Sequence, residues 1–392
     1  MKKEMILIIG MVAILAMVPS ACADAIIIDH TCTDLSEIPD EWIDQSKDNL
    51  HIAYQHTSHG SQLVTGMNAL KNFPAFGLKY EWSDSGASGL DLDDKGIPGE
   101  KPDLSQGDYI DGNGVTPWVT ATRNLLNSTD NYHVNVIMWS WCSINGHNIS
   151  RYLENMEILV SEYSAGGSNP RAAEHPVKFV FMTGHAQGQG EGGFIHTANE
   201  QIRQHCLDNG RILFDFADIE NYDPDGNYYY DRPMWDDLNY TKISYRDSNW
   251  GVEWCTANVG SELEQLTTGN NVEGYSGCSS CAHCGLAGAG NTMNCVLKGR
   301  AVWHMMARLA GWDGGQPEQP ICGDVTGDGS IDTVDLVLLL KHCINPAGNP
   351  IANACTGDID GNGYINVLDV RLLMGYLANP TGYSLNCLYA GV

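Results

Sequence analysis

Two groups of oxygen-bearing residues near the C-terminus have the spacing that a hard divalent cation requires. Asp324-Val-Thr-Gly-Asp-Gly-Ser-Ile-Asp-Thr-Val-Asp335 reappears 34 residues later as Asp358-Ile-Asp-Gly-Asn-Gly-Tyr-Ile-Asn-Val-Leu-Asp369. Calcium takes six or more oxygens from alternate positions of a twelve-residue loop. Asp324, Thr326, Asp328, the Ser330 carbonyl, Asp332 and Asp335 supply them in the first copy. Asp358, Asp360, Asn362, the Tyr364 carbonyl, Asn366 and Asp369 supply them in the second. Gly329 and Gly363 stand at the sixth position, where such a loop turns sharply. Both loops end in Asp where an EF-hand has a bidentate Glu, and each runs into one apolar helix with no helix before it. Metal-free acidic turns are the alternative, but two full loops at one fixed period rarely arise by chance.

A second set of reactive residues is spread over four segments upstream: Gln55-His-Thr-Ser58-His59-Gly-Ser61, Ser140-Trp-Cys-Ser-Ile-Asn145-Gly-His147, Thr183-Gly-His185-Ala-Gln187 and Ala217-Asp218-Ile-Glu220. Ser58 lies just past an apolar run and just before a helical pattern. It reads equally as an activated nucleophile and as a helix N-cap. His59 and His185 read as loop histidines bonded to backbone, or as a base for that serine. Cys278-Ser-Ser-Cys281-Ala-His283-Cys284, with Cys295 beyond, has ligand spacing for zinc, although disulfides are the commoner use of cysteine in an exported chain.

The elements that would position these residues alternate. Strands are expected at 51–54, 133–139, 177–182 and 211–216, and helices at 61–72, 149–163, 197–208 and 295–309. Strand–helix alternation implies a parallel sheet covered on both faces, with ligands at the carboxyl ends of its strands. The four segments above all follow strands, so they should line one site. The insertion from Asn221 to Tyr275 carries Trp235, Trp250 and Trp254, which suit core packing more than sugar stacking.

Lys2-Lys3, the apolar run Met5–Val18 and Ala21-Cys-Ala23 read as a signal peptide cut after Ala23, and Pro19 makes Cys22 a poor lipidation site. The formal charge is −27. That argues against nucleic acid or an anionic membrane surface as partner and suits calcium. No later segment is long enough to span a membrane. Thirteen cysteines become twelve after cleavage, an even number, which points to disulfides. The expected layout is a leader at 1–23, a large α/β domain at 24–315, a polar linker at 316–320 and a small helical domain at 321–392.

The duplicated loop-plus-helix unit resembles the dockerin domain, over about 70 residues of the C-terminus. The resemblance implies two calcium ions and docking onto a cohesin-bearing scaffold protein. The residues facing a cohesin would be Thr333-Val334 and Val367-Leu368, and Thr326 departs from the usual Asn or Asp. Cys322, Cys343, Cys355 and Cys387 frame the unit, with their pairing open. The large domain resembles the SGNH (GDSL-like) hydrolases, which implies a flavodoxin-like three-layer sandwich. On that resemblance Ser58 is the nucleophile, His283 the base and Asn145 the nearest oxyanion donor. The family's acid position is Ser280 here, so Asp218 or Glu220 must substitute.

The combined expectation is an exported serine esterase or deacetylase acting on polysaccharide-linked esters, secreted and held at a cell surface through a cohesin. A glycoside hydrolase, drawing one carboxylate from Asp215, Asp218 or Glu220, and a non-catalytic carbohydrate-binding or scaffold module are the alternatives.

Overall fold

The computed structural model describes residues 25–285, 290–315, 322–326, 330–349, 351, 354–362, 364–380 and 382–387. The expected leader and linker, at 1–23 and 316–320, and the loop residues Asp328, Gly329 and Gly363 lie outside them. Two compact units divide between Trp312 and Asp313.

The first unit is built on a seven-stranded, wholly parallel sheet. Its strands are β1 (Ile26–Ile28), β2 (His51–Gln55), β3 (Trp82–Ser83), β4 (Leu90–Asp94), β5 (Val136–Trp139), β6 (Lys178–Met182) and β7 (Ile212–Phe214). Their spatial order is β1-β7-β6-β5-β2-β4-β3. Five of them, β4-β2-β5-β6-β7, follow the 2-1-3-4-5 order of doubly wound sheets, with β3 and β1 added at the two edges. The direction of winding reverses between β2 and β5, and a crevice opens there at the carboxyl ends of the strands.

Alternation along each strand sorts side chains to two faces. Ile52, Tyr54, Val136, Met138, Val180, Met182 and Phe214 join one apolar cluster. Helices α1 (Asp40–Asn49), α2 (Ser61–Asn72), α6 (Phe216–Asn221), α7 (Trp250–Ala257), α8 (Glu262–Thr268) and α9 (Met293–Ala310) supply its other wall. Ala53, Ile137, Trp139, Phe179, Phe181 and Leu213 face the opposite cluster, closed by α3 (Pro117–Leu126), α4 (Ile149–Tyr163) and α5 (Phe194–Asn209). The result is a three-layer α/β/α sandwich. Trp250 is fully buried in the first cluster, in line with a core role.

Helices α2 and α9 touch backbone to backbone. A Cβ on Gly66 would stand 1.8 Å from the Cys295 carbonyl oxygen, and one on Gly299 would stand 2.3 Å from the Gly66 carbonyl carbon. This contact seats α2, and with it the segment 55–60, against the last helix of the unit.

The second unit contains α10 (Thr333–Ile344), a short α11 (Ala354–Gly357) and α12 (Val367–Ala378). Its small core is Val325, Leu339, Ile359 and Leu373, and the last two repeat the first two at the 34-residue period. Asp332 and Asn366 cap α10 and α12 in matching capping boxes closed by Asp335 and Asp369. Cys322 and Cys387 form a disulfide that ties the two ends of the unit together, while Cys343 is unpaired and the Cys355 side chain lies outside the description. No helix among the described residues is long and apolar enough to cross a membrane.

Candidate functional site

The loops leaving β2, β5 and β6 meet at the crevice beside the switch point. After β2 the chain turns through Gln55–Gly60 into α2. The turn is tight because Gly60 sits where a Cβ would fall 2.2 Å from the Ser140 hydroxyl and 2.4 Å from the His56 Cβ. The Tyr54 hydroxyl donates to the Gly60 carbonyl at 2.9 Å and locks it. Ser58 and His59 therefore project from a fixed hairpin at the mouth of the crevice.

After β5 the chain is held from two sides. The Trp141 indole donates to the Met182 carbonyl at 3.1 Å. The backbone N–H groups of Cys142 and Ser143 both donate to the Ser105 hydroxyl, at 3.2 and 3.3 Å. Ser105 in turn donates to Asp103 at 2.6 Å, and Thr57 donates to the other oxygen of the same carboxylate at 2.6 Å. Fully buried Asp103 thus clamps the β2 loop to the β5 loop.

At the centre is the His59 imidazole. Its Nε2 lies 3.3 Å from Asp236 Oδ2, and its Nδ1 lies 3.9 Å from the Cys142 sulfur. The Ser58 hydroxyl meets that sulfur at 3.5 Å. Two further rings sandwich His59: buried His185 at 3.6 Å and exposed His283 at 4.1 Å, both nearly parallel to it. The ring stack grades from buried to exposed, so the outermost imidazole meets solvent and the innermost is enclosed.

The electrostatics follow from these contacts. Burial pulls the His59 imidazole down, but the hydrogen bond and charge of Asp236, with Cys142, raise it overall. Burial pushes the Cys142 thiol up, but bonds from Ser58, His59 and Thr57 and the charge of His59 hold it below the ordinary thiol range. Burial, and then the neighbouring His59 charge, lower His185 to about 4, so it stays neutral. Its Nε2 lies 2.9 Å from the Cys142 carbonyl oxygen and its Nδ1 lies 3.0 Å from the Ala186 carbonyl oxygen, which places the β6 loop against the β5 loop.

Beneath Asp236 runs a buried polar chain. Gln62 donates to Asp236 at 3.3 Å, and Lys298 donates to Gln62 at 2.6 Å and to Glu220 at 2.7 Å. Glu220 and Lys298 are both fully buried. The other Glu220 oxygen accepts from the Ala186 N–H, which holds the loop carrying His185. Asp236 itself lies low because, against the effect of burial, the His59 bond and nearby positive charges favour its ionised form.

His59, His185 and Asp236 bring ligand atoms within 4.8 Å of one another. Those atoms already serve one another and the Cys142 carbonyl as hydrogen-bond partners. A second cluster, Cys281, Cys284 and Cys295, is buried nearby, with Cys281 and Cys295 joined as a disulfide. Cys278 and Cys284 carry free thiols pushed up by burial.

Of the residues expected to act, Ser58 and His283 both adjoin His59, whereas two others are elsewhere. Asp218 accepts from the His30 ring at 2.5 Å and from the His30 N–H at 2.9 Å, beyond β1. Exposed Asn145 accepts from Gln189 at 3.4 Å. Glu220 is engaged by Lys298. Two residues were not singled out from the sequence, Cys142 and Asp236. The thiol falls within the even count of cysteines that points to disulfides, and Asp236 sits in the 221–275 insertion, where no periodicity marks it. A cavity of about 410 Å³ opens beside the site, walled by Gln55, His56, Thr57, Ser58, Ser61, Lys95 and Pro102. A larger cavity, about 740 Å³, lies by His51, Lys178 and Ile212 at the opposite ends of the strands, away from these groups.

In the second unit the loop oxygens converge. Asp358, Asp360 and Asp369 place carboxylate oxygens within 4.8 Å of one another. Asp369 Oδ1 accepts from the Ile359 and Asp360 N–H groups at 2.8 and 3.1 Å, and in the first loop Asp335 Oδ1 accepts from the Thr326 N–H at 2.9 Å. Hard carboxylate oxygens converging on a tight loop fit calcium. Val334, Val367 and Leu368 are more than half exposed, so their apolar surface is available to a partner.

Residues 322–378 match the dockerin type I domain family. Comparison with curated proteins and with solved structures returned no significant match. The chain is therefore an α/β protein with a seven-stranded parallel sheet, carrying a dockerin. That dockerin supplies calcium binding and tethering to a cohesin, and proteins bearing it are typically extracellular.

Proposed function

We propose that the α/β unit is an acyl hydrolase of the SGNH-like class, exported by its leader and tethered by its dockerin to act on esters of polysaccharides. The observation that carries this reading is the line of Asp236, His59 and the Ser58–Cys142 pair at the switch point of a 2-1-3-4-5 sheet. A carboxylate orients the imidazole, and the imidazole faces a nucleophile. This is the arrangement that acyl transfer needs, whatever the fold. His59 takes the part of the base, and exposed His283 covers its outer face as a stacking partner. Asp236 takes the part of the acid expected of Asp218. The polysaccharide substrate is inferred from the appended dockerin, since tethered modules of this kind commonly act on insoluble glycans.

The test is hydrolysis of 4-nitrophenyl acetate and acetylated xylan by the calcium-loaded full chain, beside His59→Ala. The expected loss of kcat/KM is at least about a hundredfold. Equal slow rates for both proteins would refute the reading.

A further inference from the structure

We propose that Cys142 is the covalent nucleophile of the α/β unit: a thiolate that accepts the acyl group, with His59 as its proton partner and Asp236 holding His59. The proposal deepens the acyl-hydrolase reading and rests on it for its substrate class, carboxylic esters of sugar hydroxyls.

Three independent features of the geometry point to this sulfur. The first is the imidazole's orientation. With Nε2 facing the Asp236 carboxylate, the ring's proton sits on Nε2, and the Nδ1 lone pair faces Cys142. A separation of 3.9 Å is within the looser reach usual before substrate binds. The second is the role left for Ser58. Among the described residues its hydroxyl reaches the Cys142 sulfur and no imidazole nitrogen. It lacks the base that would activate it, while as a donor it stabilises a sulfur anion. The third is the care with which Cys142 is held. Both amides at 142 and 143 are bound by Ser105, the 142 carbonyl is bound by His185, and the preceding indole is bound to β6. Cys142 is half-buried.

The charged and titratable groups around the pair are His59, Asp236, His185, His283, Lys298 and, through Thr57, Asp103. They leave Cys142 low, whereas every other unpaired thiol among the described residues is pushed up by burial: Cys32, Cys206, Cys255, Cys278, Cys284 and Cys343. Thiolate character beside an imidazole is what makes a cysteine reactive.

The reaction balances with water as the only co-reactant. The Cys142 proton passes to His59 Nδ1. The sulfur attacks the ester carbonyl, and the tetrahedral intermediate expels the sugar alkoxide, which takes the proton from Nδ1. The resulting thioester is attacked by water, which gives up a proton to Nδ1. Collapse of the second intermediate breaks the C–S bond, and the carboxylic acid leaves with the thiolate restored.

Two measurements on the calcium-loaded full chain test this. The first is iodoacetamide alkylation across pH 5–9, mapped peptide by peptide, for wild type, His59→Ala and Asp236→Asn, each checked for native tryptophan fluorescence. Cys142 should alkylate with a midpoint below the ordinary thiol value of about 8.5, and should slow at pH 7 by roughly tenfold in His59→Ala. An ordinary midpoint, or equal rates in all three proteins, overturns the proposal. The second is acid quenching during turnover of 4-nitrophenyl acetate, followed by peptide mapping, with Cys142→Ala and Cys142→Ser alongside. Acetyl on the Cys142 peptide supports the proposal. Acetyl on the Ser58 peptide, or full turnover by Cys142→Ala, overturns it and leaves the hydrolase reading standing. If no ester is turned over the hydrolase reading falls, and the alkylation profile alone then decides whether Cys142 is the reactive thiolate.

Discussion

Replacing Lys298 with Met removes one partner of a fully buried ion pair and leaves an unbranched chain of similar volume in its place. Burial lowers the Lys298 ammonium and raises the Glu220 carboxyl, so each is pressed toward its neutral form and held against that pressure by the other. In the wild-type chain the pair carries one proton whether folded or unfolded, so it adds no pH dependence near neutrality. In Lys298→Met, Glu220 must take up a proton to stay buried, while the unfolded carboxyl, at about 4.3, is ionised. Folding then binds a proton, and stability falls as pH rises by about 1.36 kcal/mol per pH unit. From pH 4.3 to pH 7 this amounts to about 3.7 kcal/mol, inside the range of about 3–5 kcal/mol found for removing one partner of a buried pair. At pH 5 the deficit shrinks to roughly 1 kcal/mol. The assay is urea unfolding followed by tryptophan fluorescence in constant calcium. All ten tryptophans lie at or before Trp312, so the signal reads the α/β unit alone. Adding Glu220→Gln to Lys298→Met should abolish the pH slope. A Lys298→Met protein with wild-type stability at pH 7, or with a deficit that does not change between about pH 5 and 8, would refute the reasoning.

Three other outcomes follow from the packing and the loops. Gly66→Ala should destabilise the α/β unit by more than about 3 kcal/mol, because its methyl meets the Cys295 carbonyl at 1.8 Å and two helix backbones must separate; the same fluorescence assay reads it. Chelation of calcium should melt α10 and α12 and abolish cohesin binding, seen as lost helical circular dichroism without a tryptophan change. Asp369→Ala should weaken calcium binding at the second loop by at least about tenfold in titration calorimetry.

Much of the architecture could be read from the chain because burial leaves periodic traces. The strands at 51–55, 136–139, 178–182 and 212–214, and the helices at 61–72 and 149–163, stand where apolar runs and 3.6-residue patterns place them. The edges were silent for a physical reason. β4 is Leu-Asp-Leu-Asp-Asp, half-exposed and acidic, and β3 has two residues, so neither carries the continuous apolar run of a buried parallel strand. Helix α1 has few apolar residues, with Ile43 and Ser46 the buried positions, and reads as polar chain. The dockerin loops were legible because calcium fixes both residue type and spacing.

The site was only half legible, and the reason lies in how it is assembled. Ser58, His59, His185 and His283 stand out because they flank strands or cysteines. Asp236 and Cys142 meet His59 from 177 and 83 residues away, a separation that no local spacing encodes. Asp218 carried the better sequence argument, since it follows a strand as the acid of a triad would. Its strand, β7, lies three places from β2 in the sheet, and its carboxylate is spent on His30. Asp236 reaches the crevice because the 221–275 insertion folds back over the carboxyl ends of the strands: the Gly188 N–H donates to the Met234 carbonyl at 2.7 Å. The Gln62, Lys298 and Glu220 chain then supports it from below. A buried carboxylate supported in this way is held in one orientation, and through Nε2 it fixes which nitrogen of His59 faces the sulfur. The insertion thus does more than decorate the sandwich. It supplies the carboxylate that faces His59 Nε2.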